Sequence, residues 1–600
     1  MNDNLFGSIV RRRILSIIII AFTALTVFQL FKMQLLDNYS YQEKSLENSV
    51  KKVSIPAPRG VFYDRNFNVI VSNKPAFTIS ILPSEYNTQQ NKLVENIMNV
   101  QEGYVSNLLD INRKYSPFVP LKIKRNTDFS FIAWLQENQE LLEGIDYEVE
   151  LQRDYTFGIT GSHIFGYTKE ISASQYKIKK SIYDMGDYVG FSGIEKTYED
   201  LLRGTKGYSL NLVDSRQRTI GRYLEGLEDK PAVKGNDLVL GIDAETQLIA
   251  EKLFENKMGA LVAIEPKTGE IIAFVSSPQY DLSKFASVTS GFFWDSLSTH
   301  PSKPIFNRAT QSIYPPGSTF KMLAAIAALD DGIINERTSI NCPGGLQFGD
   351  RFFKCLHVHG NISVVEAIQK SCNTFFYQLI LKIGLERWAK YAREFGFGKK
   401  TGIDIPEEIS GILPDSAYYN RVYGRGKWTR GFLVSLGIGQ GELSATPLQL
   451  AKYTALIAND GKSVEPHFAR GYIDNKTSEF VKLPFKEIIL DIDQHVFDLI
   501  QEGMYKVVNV PGGTASIAKI PGIDVSGKTG TAQNPHGDNH ALFVGYAPSE
   551  DPKIAVAVVV ENIGFGSTHA APIAREVMRT YLQKDIDQNE KLNPIAKKVN

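Results

Sequence analysis

Hydrophobic and polar positions change their spacing several times along the chain. Near the N-terminus, ILSIIIIAFTALTVFQLF, residues 14–31, is an apolar run of 18 residues without a charge. As a helix it spans about 27 Å, enough to cross a bilayer core with little tilt. Arg11, Arg12 and Arg13 precede it. The positive-inside rule therefore places residues 1–13 in the cytoplasm. No small-x-small cleavage site follows, and the run exceeds a typical signal-peptide core, so an uncleaved anchor over 14–33 is expected rather than a removed signal. No second run of this length occurs, which predicts a single-pass protein with its bulk in the periplasm.

From Leu35 to about Lys52 the sequence is polar and helix-compatible, as a stalk would be. Short alternating stretches then recur with Gly and Asn punctuation, as in SIPAPRGVFYDRNFNVIVSN, TISILPSEY and GSHIFGYTKEIS, and DFSFIAWLQENQELLEG is helical. This is an elongated mixed domain over 34–240. Near residue 236 the pattern changes. NDLVLGID reads as a strand, AETQLIAEKLFENK as an amphipathic helix, and GALVAIEPKTGEIIAFVSS as a hairpin turning at Pro266–Gly269. Helices are expected from Ser318, from about Val364, and through FFYQLILKIGLERWAKYAREFG. IPGIDVSG and KIAVAVVVEN read as strands, and APIAREVMRTYLQK as a closing helix. Strands at both ends of a domain with helices between them predict an α+β architecture with one antiparallel sheet over 241–583. A charged, loose tail is expected over 584–600.

Composition narrows the class. Lys+Arg and Asp+Glu are both 66, so no basic field points to nucleic acid. The chain has 3 cysteines, too few for a disulfide scaffold. All three, Cys342, Cys355 and Cys372, fall in one segment that also holds His357 and His359.

Candidate chemistry begins at YPPGSTFKMLAAIAALDDG, residues 314–332. Pro315, Pro316 and Gly317 mark a helix start, where unpaired N–H groups favour negative charge. Ser318 sits in that first turn with Lys321 one turn along on the same face. A neutral lysine there can take the serine proton, which activates a weak nucleophile. The plainer reading is a capping serine and a solvated lysine. Ser-x-x-Lys also occurs at Ser49/Lys52, Ser174/Lys177 and Ser516/Lys519, and Lys-Thr-Gly at Lys267, Lys400 and Lys528. One ordered set stands out: Ser318–Lys321 at a helix start, Ser371-Cys372-Asn373 between two helices, and Lys528-Thr529-Gly530-Thr531 after a strand.

These elements resemble the SxxK, SxN and KTG motifs of the serine penicillin-recognising enzymes. PRGVFYDRN at 58–66, GIDAETQ at 241–247, VAIEPKTGEIIAFVSSP at 262–278 and IGQGELSATPLQLA at 438–451 are similar to the class B penicillin-binding proteins. GYTKEIS at 166–172 and GFSGIEKTYEDLLRGTKGY at 190–208 narrow the resemblance to the elongation-type peptidoglycan transpeptidases. It covers the chain to about residue 583. It departs at Cys372, where many relatives of the wider superfamily carry aspartate.

The resemblance implies a non-catalytic pedestal domain over 34–240 and a transpeptidase domain over 241–583. It implies acyl transfer on peptidoglycan stem peptides and inhibition by β-lactams, with no cofactor for catalysis. Ser318 is the implied nucleophile, Lys321 the base, Ser371 a proton relay and Asn373 a partner of substrate and Lys321. Lys528, with Thr529, Gly530 and Thr531, would hold the substrate carboxylate, and the backbone N–H groups of Ser318 and Thr531 would form the oxyanion hole. A SEDS-type membrane glycan polymerase is the implied partner. A division-type transpeptidase is the alternative within the family. A membrane-bound β-lactamase would need a deacylating base, and none is assignable. A β-lactam sensor would need a cytoplasmic domain, and about a dozen residues precede the anchor. Elongation-type relatives hold zinc beside the SxN loop, so Cys342, Cys355, His359 and Cys372 are a candidate structural zinc site. His357 is an alternative ligand to His359. A Cys342–Cys355 disulfide with Cys372 a buried thiol is the competing expectation.

Overall fold

The computed structural model describes the chain apart from residues 1–8, 37–48, 114–116, 119, 139–141, 215–218, 287–288, 535–536 and 593–600. Most of the expected stalk and the end of the expected tail therefore lie outside the described residues. The N-terminal apolar run forms helix α1, Ile9–Phe31, continued by a wider turn over Lys32–Leu36. None of its residues is buried, and the span Ile9–Leu35 is long and apolar enough to cross a membrane.

Two compact units follow. One comprises residues 1–58, 77–148 and 204–234. In it, Val50–Ile55 pairs antiparallel with Gly207–Val213, which pairs with Thr219–Arg222. Residues 77–81 pair with Leu121–Thr127, and Ile79, Ile81, Val94, Val105, Ile132 and Leu135 close a small core beneath.

The other unit comprises residues 59–76, 149–203 and 235–600. The 34–240 segment is thus not one compact body, because two of its stretches pack with the C-terminal part. Arg65 meets Glu265 at 2.7 Å and Tyr198 donates to Asp404 at 2.8 Å, which ties these stretches to the C-terminal part. A buried ion network that short-range patterns do not announce ties the two stretches to each other. Arg59 meets Glu195 at 2.5 Å and Glu199 at 2.6 Å, and Arg153 meets Glu195 at 2.6 Å. Burial alone would raise the Glu195 pKa, but Arg153 and Arg59 outweigh it and hold the carboxylate charged.

The sheet of this unit has five strands: β1 Gly259–Ile264, β2 Ile271–Ser277, β3 Ser526–Ala532, β4 His540–Ala547 and β5 Ile554–Val560. Their order is β2-β1-β5-β4-β3, antiparallel throughout. Every residue of β1, β2 and β5 is buried, so helices must cover both faces. Ala244–Leu253 (α2) and Gly566–Leu592 (α9) pack on each other and on the strands, and Pro447–Ala458 (α7) packs on β1, β4 and β5. Between β2 and β3 run α3 Lys321–Asp330, α4 Val364–Gln369, α5 Asn373–Ile383, α6 Leu385–Glu394 and, after α7, α8 Gln494–Asn509. The residues of α3 from Lys321 to Ala328 are all buried, the mark of a helix packed on every side.

Three expectations are corrected. The long helix through residues 375–396 is two helices, because Gly384 takes φ +81° and ends α5. Strand β3 starts at Ser526, since Pro521 and Gly522 form a turn closed by Ile523 N–H to the Ile520 carbonyl. Lys528 therefore lies inside a strand and not at its end. Helix α9 runs on to Leu592, past the point where a loose tail was expected.

Because α1 is wholly exposed, removing residues 1–36 should leave a chain that stays in the supernatant without detergent. Sedimentation of the shortened chain checks this. Precipitation equal to that of the full chain would mean that apolar surface elsewhere drives it.

Candidate active site

Ser318 lies on a single tight turn, Gly317–Phe320, that leads into α3. Gly317 takes φ +58°, and Thr319 Oγ1 donates to the Pro316 carbonyl at 2.7 Å, which fixes the turn. Strand β3 runs along the edge of the sheet, directly against it. A methyl group on Gly317 would lie 2.9 Å from the Thr531 carbonyl oxygen, and one on Gly530 would lie 2.8 Å from Thr319 Cγ2. Only glycine at both positions allows the Ser318 turn and the edge strand to meet backbone to backbone.

Lys321 is fully buried. Its Nζ donates to the Ser371 carbonyl at 2.7 Å, to Ser371 Oγ at 3.1 Å and to Asn373 Oδ1 at 2.7 Å. Those bonds use all three ammonium hydrogens, so none is directed at Ser318. Lys528, also fully buried, donates to the same Ser371 Oγ at 2.9 Å and to the Thr529 carbonyl at 3.0 Å. Two lysines thus converge on one hydroxyl. Burial lowers the Lys321 pKa to about 7, even though Cys372 and Cys355 act to raise it. Burial, and then the charge of Lys321, push Lys528 well below the ordinary lysine value. A neutral amine at neutral pH is what a base needs, and the shared hydroxyl offers a path for a proton between the two nitrogens.

Ser371 is held in the left-handed region, φ +54°, between α4 and α5. Strain of this kind costs about 1–3 kcal/mol and persists only where the surroundings enforce it. Here Ser371 N–H donates to Ile368 and Cys372 N–H to Ala367, while Cys372 Sγ caps α5 by accepting from Phe375 N–H at 3.4 Å. Thr529 and Thr531, two apart on β3, share a face and are half-buried. Thr529 Oγ1 is 3.1 Å from Thr514 Oγ1.

The rival motifs fall elsewhere. Lys267 sits in the β1–β2 turn, paired with Asp551 at 2.8 Å, and Lys400 lies in a loop. Ser174 and Lys177 lie on the surface helix Ala173–Lys179, and Ser516 lies in the single turn Ser516–Ala518. Residues that local patterns did not flag also shape the site. Tyr314, just before the Ser318 turn, donates to Glu561 at 2.6 Å, and Arg308 Nε meets the same oxygen at 3.1 Å. No local signal marks this trio, because Glu561 is some 250 residues further along the chain.

Beside the SxN element, the donor atoms of Cys342, Cys355, His359 and Cys372 all lie within 4.8 Å of one another. His359 Nδ1 is 3.5 Å from Cys342 Sγ and 3.7 Å from Cys355 Sγ, and the sulfurs of Cys355 and Cys372 are 3.9 Å apart. The three cysteines are buried free thiols, so the expected Cys342–Cys355 disulfide is not formed. This buried three-cysteine, one-histidine cluster can hold a metal ion. His357 is not among its donors.

Residues 259–579 match the penicillin binding protein transpeptidase domain, and residues 54–240 match the penicillin-binding protein dimerisation domain. The peptidoglycan D,D-transpeptidase MrdA of Haemophilus influenzae is 32% identical over an alignment covering 99% of this chain and 95% of the relative. MrdA of Escherichia coli K12 is 30% identical, with 93% and 92% covered. Among solved structures, the complex of PBP2 and MreC from Helicobacter pylori superposes with a TM-score of 0.78 at 30% identity, covering 89% of this chain and 99% of that one. Pseudomonas aeruginosa PBP2 bound to WCK 5153 does so with a TM-score of 0.68 at 30% identity, covering 89% and 97%.

Three buried free thiols have a simple readout. Reaction with a chromogenic thiol reagent should be slow in the native chain and should reach three equivalents after unfolding in denaturant with a chelator present. A plateau at one equivalent would show a disulfide and contradict the structure.

Proposed function

Because the chain belongs to the penicillin-binding protein transpeptidase family, we propose that it cross-links peptidoglycan stem peptides during cell elongation through an acyl-enzyme on Ser318. The observation that carries the assignment of roles is the convergence of buried Lys321 and Lys528 on Ser371 Oγ, beside the turn that presents Ser318. The elongation role is supported by the names of the relatives, MrdA and PBP2.

Ser318 Oγ attacks the carbonyl carbon of the penultimate D-Ala, and its proton passes to Lys321. The developing oxyanion is accepted by the backbone N–H groups of Ser318 and Thr531, one in the helix-start turn and one on the edge strand. As the C–N bond breaks, Ser371 passes a proton to the departing D-Ala amine and is resupplied by Lys321 or Lys528. The amine of a second stem peptide then attacks the ester carbon and loses its proton by the reverse path, which releases Ser318 and leaves the cross-link. Thr529, Gly530 and Thr531 line the edge strand along which the donor peptide lies, with its terminal carboxylate on the two threonines beside Lys528. A β-lactam follows the first half of this course and stops at the ester.

The cluster beside Ser371 fits zinc. A tetrahedral zinc with bonds of about 2.3 Å to sulfur and 2.0–2.1 Å to nitrogen sets its donors roughly 3.5–3.8 Å apart. Two observed separations, 3.5 and 3.7 Å, lie in that range, a third is 3.9 Å, and all four donors lie within 4.8 Å of one another, so small side-chain shifts close the shell. Cys342, Cys355, His359 and Cys372 would hold the ion, whose contribution is structural. With Cys372 fixed, Ser371 and Asn373 on either side of it are held in register with Lys321. The anchor supports a single-pass protein of the inner membrane with its bulk in the periplasm. A SEDS-type glycan polymerase is the proposed partner, supported by the likeness to a peptidoglycan synthase complex that coordinates polymerization and crosslinking, at a TM-score of 0.70 and 27% identity.

Ser318→Ala should abolish the covalent penicillin adduct seen by intact-protein mass spectrometry. The wild-type adduct should map to the Ser318 peptide and persist for many minutes. An adduct surviving in the variant, or rapid turnover of a chromogenic cephalosporin, would overturn the assignment. The acylation rate should also depend on pH. Lys321 acts when neutral and its pKa is about 7, so the rate should fall about tenfold per unit below pH 7 and level off above it. A profile flat from pH 5 to 8 would remove Lys321 from the role of base.

Elemental analysis of the chain purified without a histidine tag should find one zinc per chain, lost in Cys372→Ser. Adding a chelator to the wild type should lower its melting temperature. A metal-free wild type that melts at the same temperature with and without chelator would refute the zinc assignment.

A further inference from the structure

Residues 418–432 read YYNRVYGRGKWTRGF, with five aromatic and four cationic residues and no acidic one. Nothing in the catalytic scheme uses them. The aromatics form a built platform. Tyr419 stacks on Trp428 with ring centres 5.2 Å apart, and Tyr423 packs on Phe432 at 4.9 Å. The hydroxyls of Tyr419 and Tyr423 donate to opposite oxygens of Glu442, at 2.8 and 2.7 Å, and Trp428 Nε1 donates to Asn420 at 2.9 Å. Arg421, Arg425 and Lys427 are exposed around this platform, and none forms an ion pair among the described residues. Tyr423 keeps 39% of its surface open beside them.

The platform stands close to the nucleophile. Helix Gly431–Leu436 leads from it to Gly439, whose carbonyl accepts from Gly317 N–H at 2.8 Å, next to Ser318. Six helical residues rise about 9 Å, so one short helix joins the platform to the segment that contacts the Ser318 turn.

We propose that this platform binds the anionic glycan strand that carries the stem peptides, outside the cleft that takes the peptide end. Sugar rings present C–H edges that suit an exposed aromatic face. The carboxylates of repeated stem peptides complement exposed cations that form no ion pair among the described residues, Arg421 lying over the Tyr418 ring at 5.7 Å. The proposal rests on the transpeptidase reading and adds a second recognition element for the same substrate. An anionic membrane surface shares the charge but wants apolar side chains free to insert, whereas four of the five aromatics here are packed or half-buried.

Binding of the full-length chain, in detergent micelles, to soluble uncross-linked glycan strands bearing pentapeptides tests the proposal, with and without prior acylation by penicillin. The acylated wild type should bind, and binding should weaken as salt rises. Arg421→Ala/Arg425→Ala/Lys427→Ala should bind about tenfold less tightly, as expected for three exposed charge pairs, with its penicillin acylation rate unchanged. The corresponding lysine replacements at 421 and 425 should restore most of the affinity. Unchanged affinity in the triple alanine variant would overturn the proposal. So would equal binding to strands whose carboxylates are amidated, or capture by phosphatidylglycerol vesicles with the same variant dependence. If Ser318 takes no penicillin, the transpeptidase reading fails by itself, and the unacylated arm still reports on the platform.

Discussion

Two buried lysines meet at one serine hydroxyl, and the arrangement around them follows from what that meeting costs. Bringing two ammonium groups out of water and towards each other is unfavourable by several kcal/mol per charge. The structure lowers that cost by hydrogen bonding and by lost protonation. Lys321 is satisfied by a carbonyl, a hydroxyl and an amide oxygen, and its pKa falls to about 7. Lys528 has the Thr529 carbonyl and the same hydroxyl. Burial also pushes Lys528 well below the ordinary lysine value, so desolvation favours the neutral form of both amines.

Holding Ser371 at the meeting point requires support from both sides. Its left-handed backbone is strained, and the supporting elements are the end of α4, the start of α5 and the cysteine cluster that includes Cys372. At position 372 the side chain joins the cysteine cluster and caps α5. Cysteine in place of aspartate exchanges one capping acceptor for another and adds a donor for a metal.

The sheet supplies the remaining wall. Strands β1, β2 and β5 are buried on both faces, while β3 lies at the edge of the sheet and pairs only with β4 within it. Gly317 and Gly530 let that edge approach the Ser318 turn backbone to backbone. Side chains of any size there would push the two segments apart.

Much of this was legible in the sequence. The N-terminal apolar helix, the β1–β2 hairpin, the buried strand β5 and the ordered serine, lysine and Lys-Thr-Gly motifs are local patterns, set by hydropathy, turn residues and spacing within one element. Local patterns also misled. Ser-x-x-Lys recurs at Ser49, Ser174 and Ser516, and only packing brings Ser318, Ser371 and Lys528 together across more than 200 residues. The break at Gly384 and the start of β3 at Ser526 depended on a backbone sign and a turn that hydropathy does not carry. The division between units, the Arg59–Arg153–Glu195 network and the choice of free thiols over a disulfide at Cys342 and Cys355 were decided by tertiary structure alone. Ion pairs and sulfur distances join residues far apart in the chain, and their energies exist only once the segments are packed and water is gone.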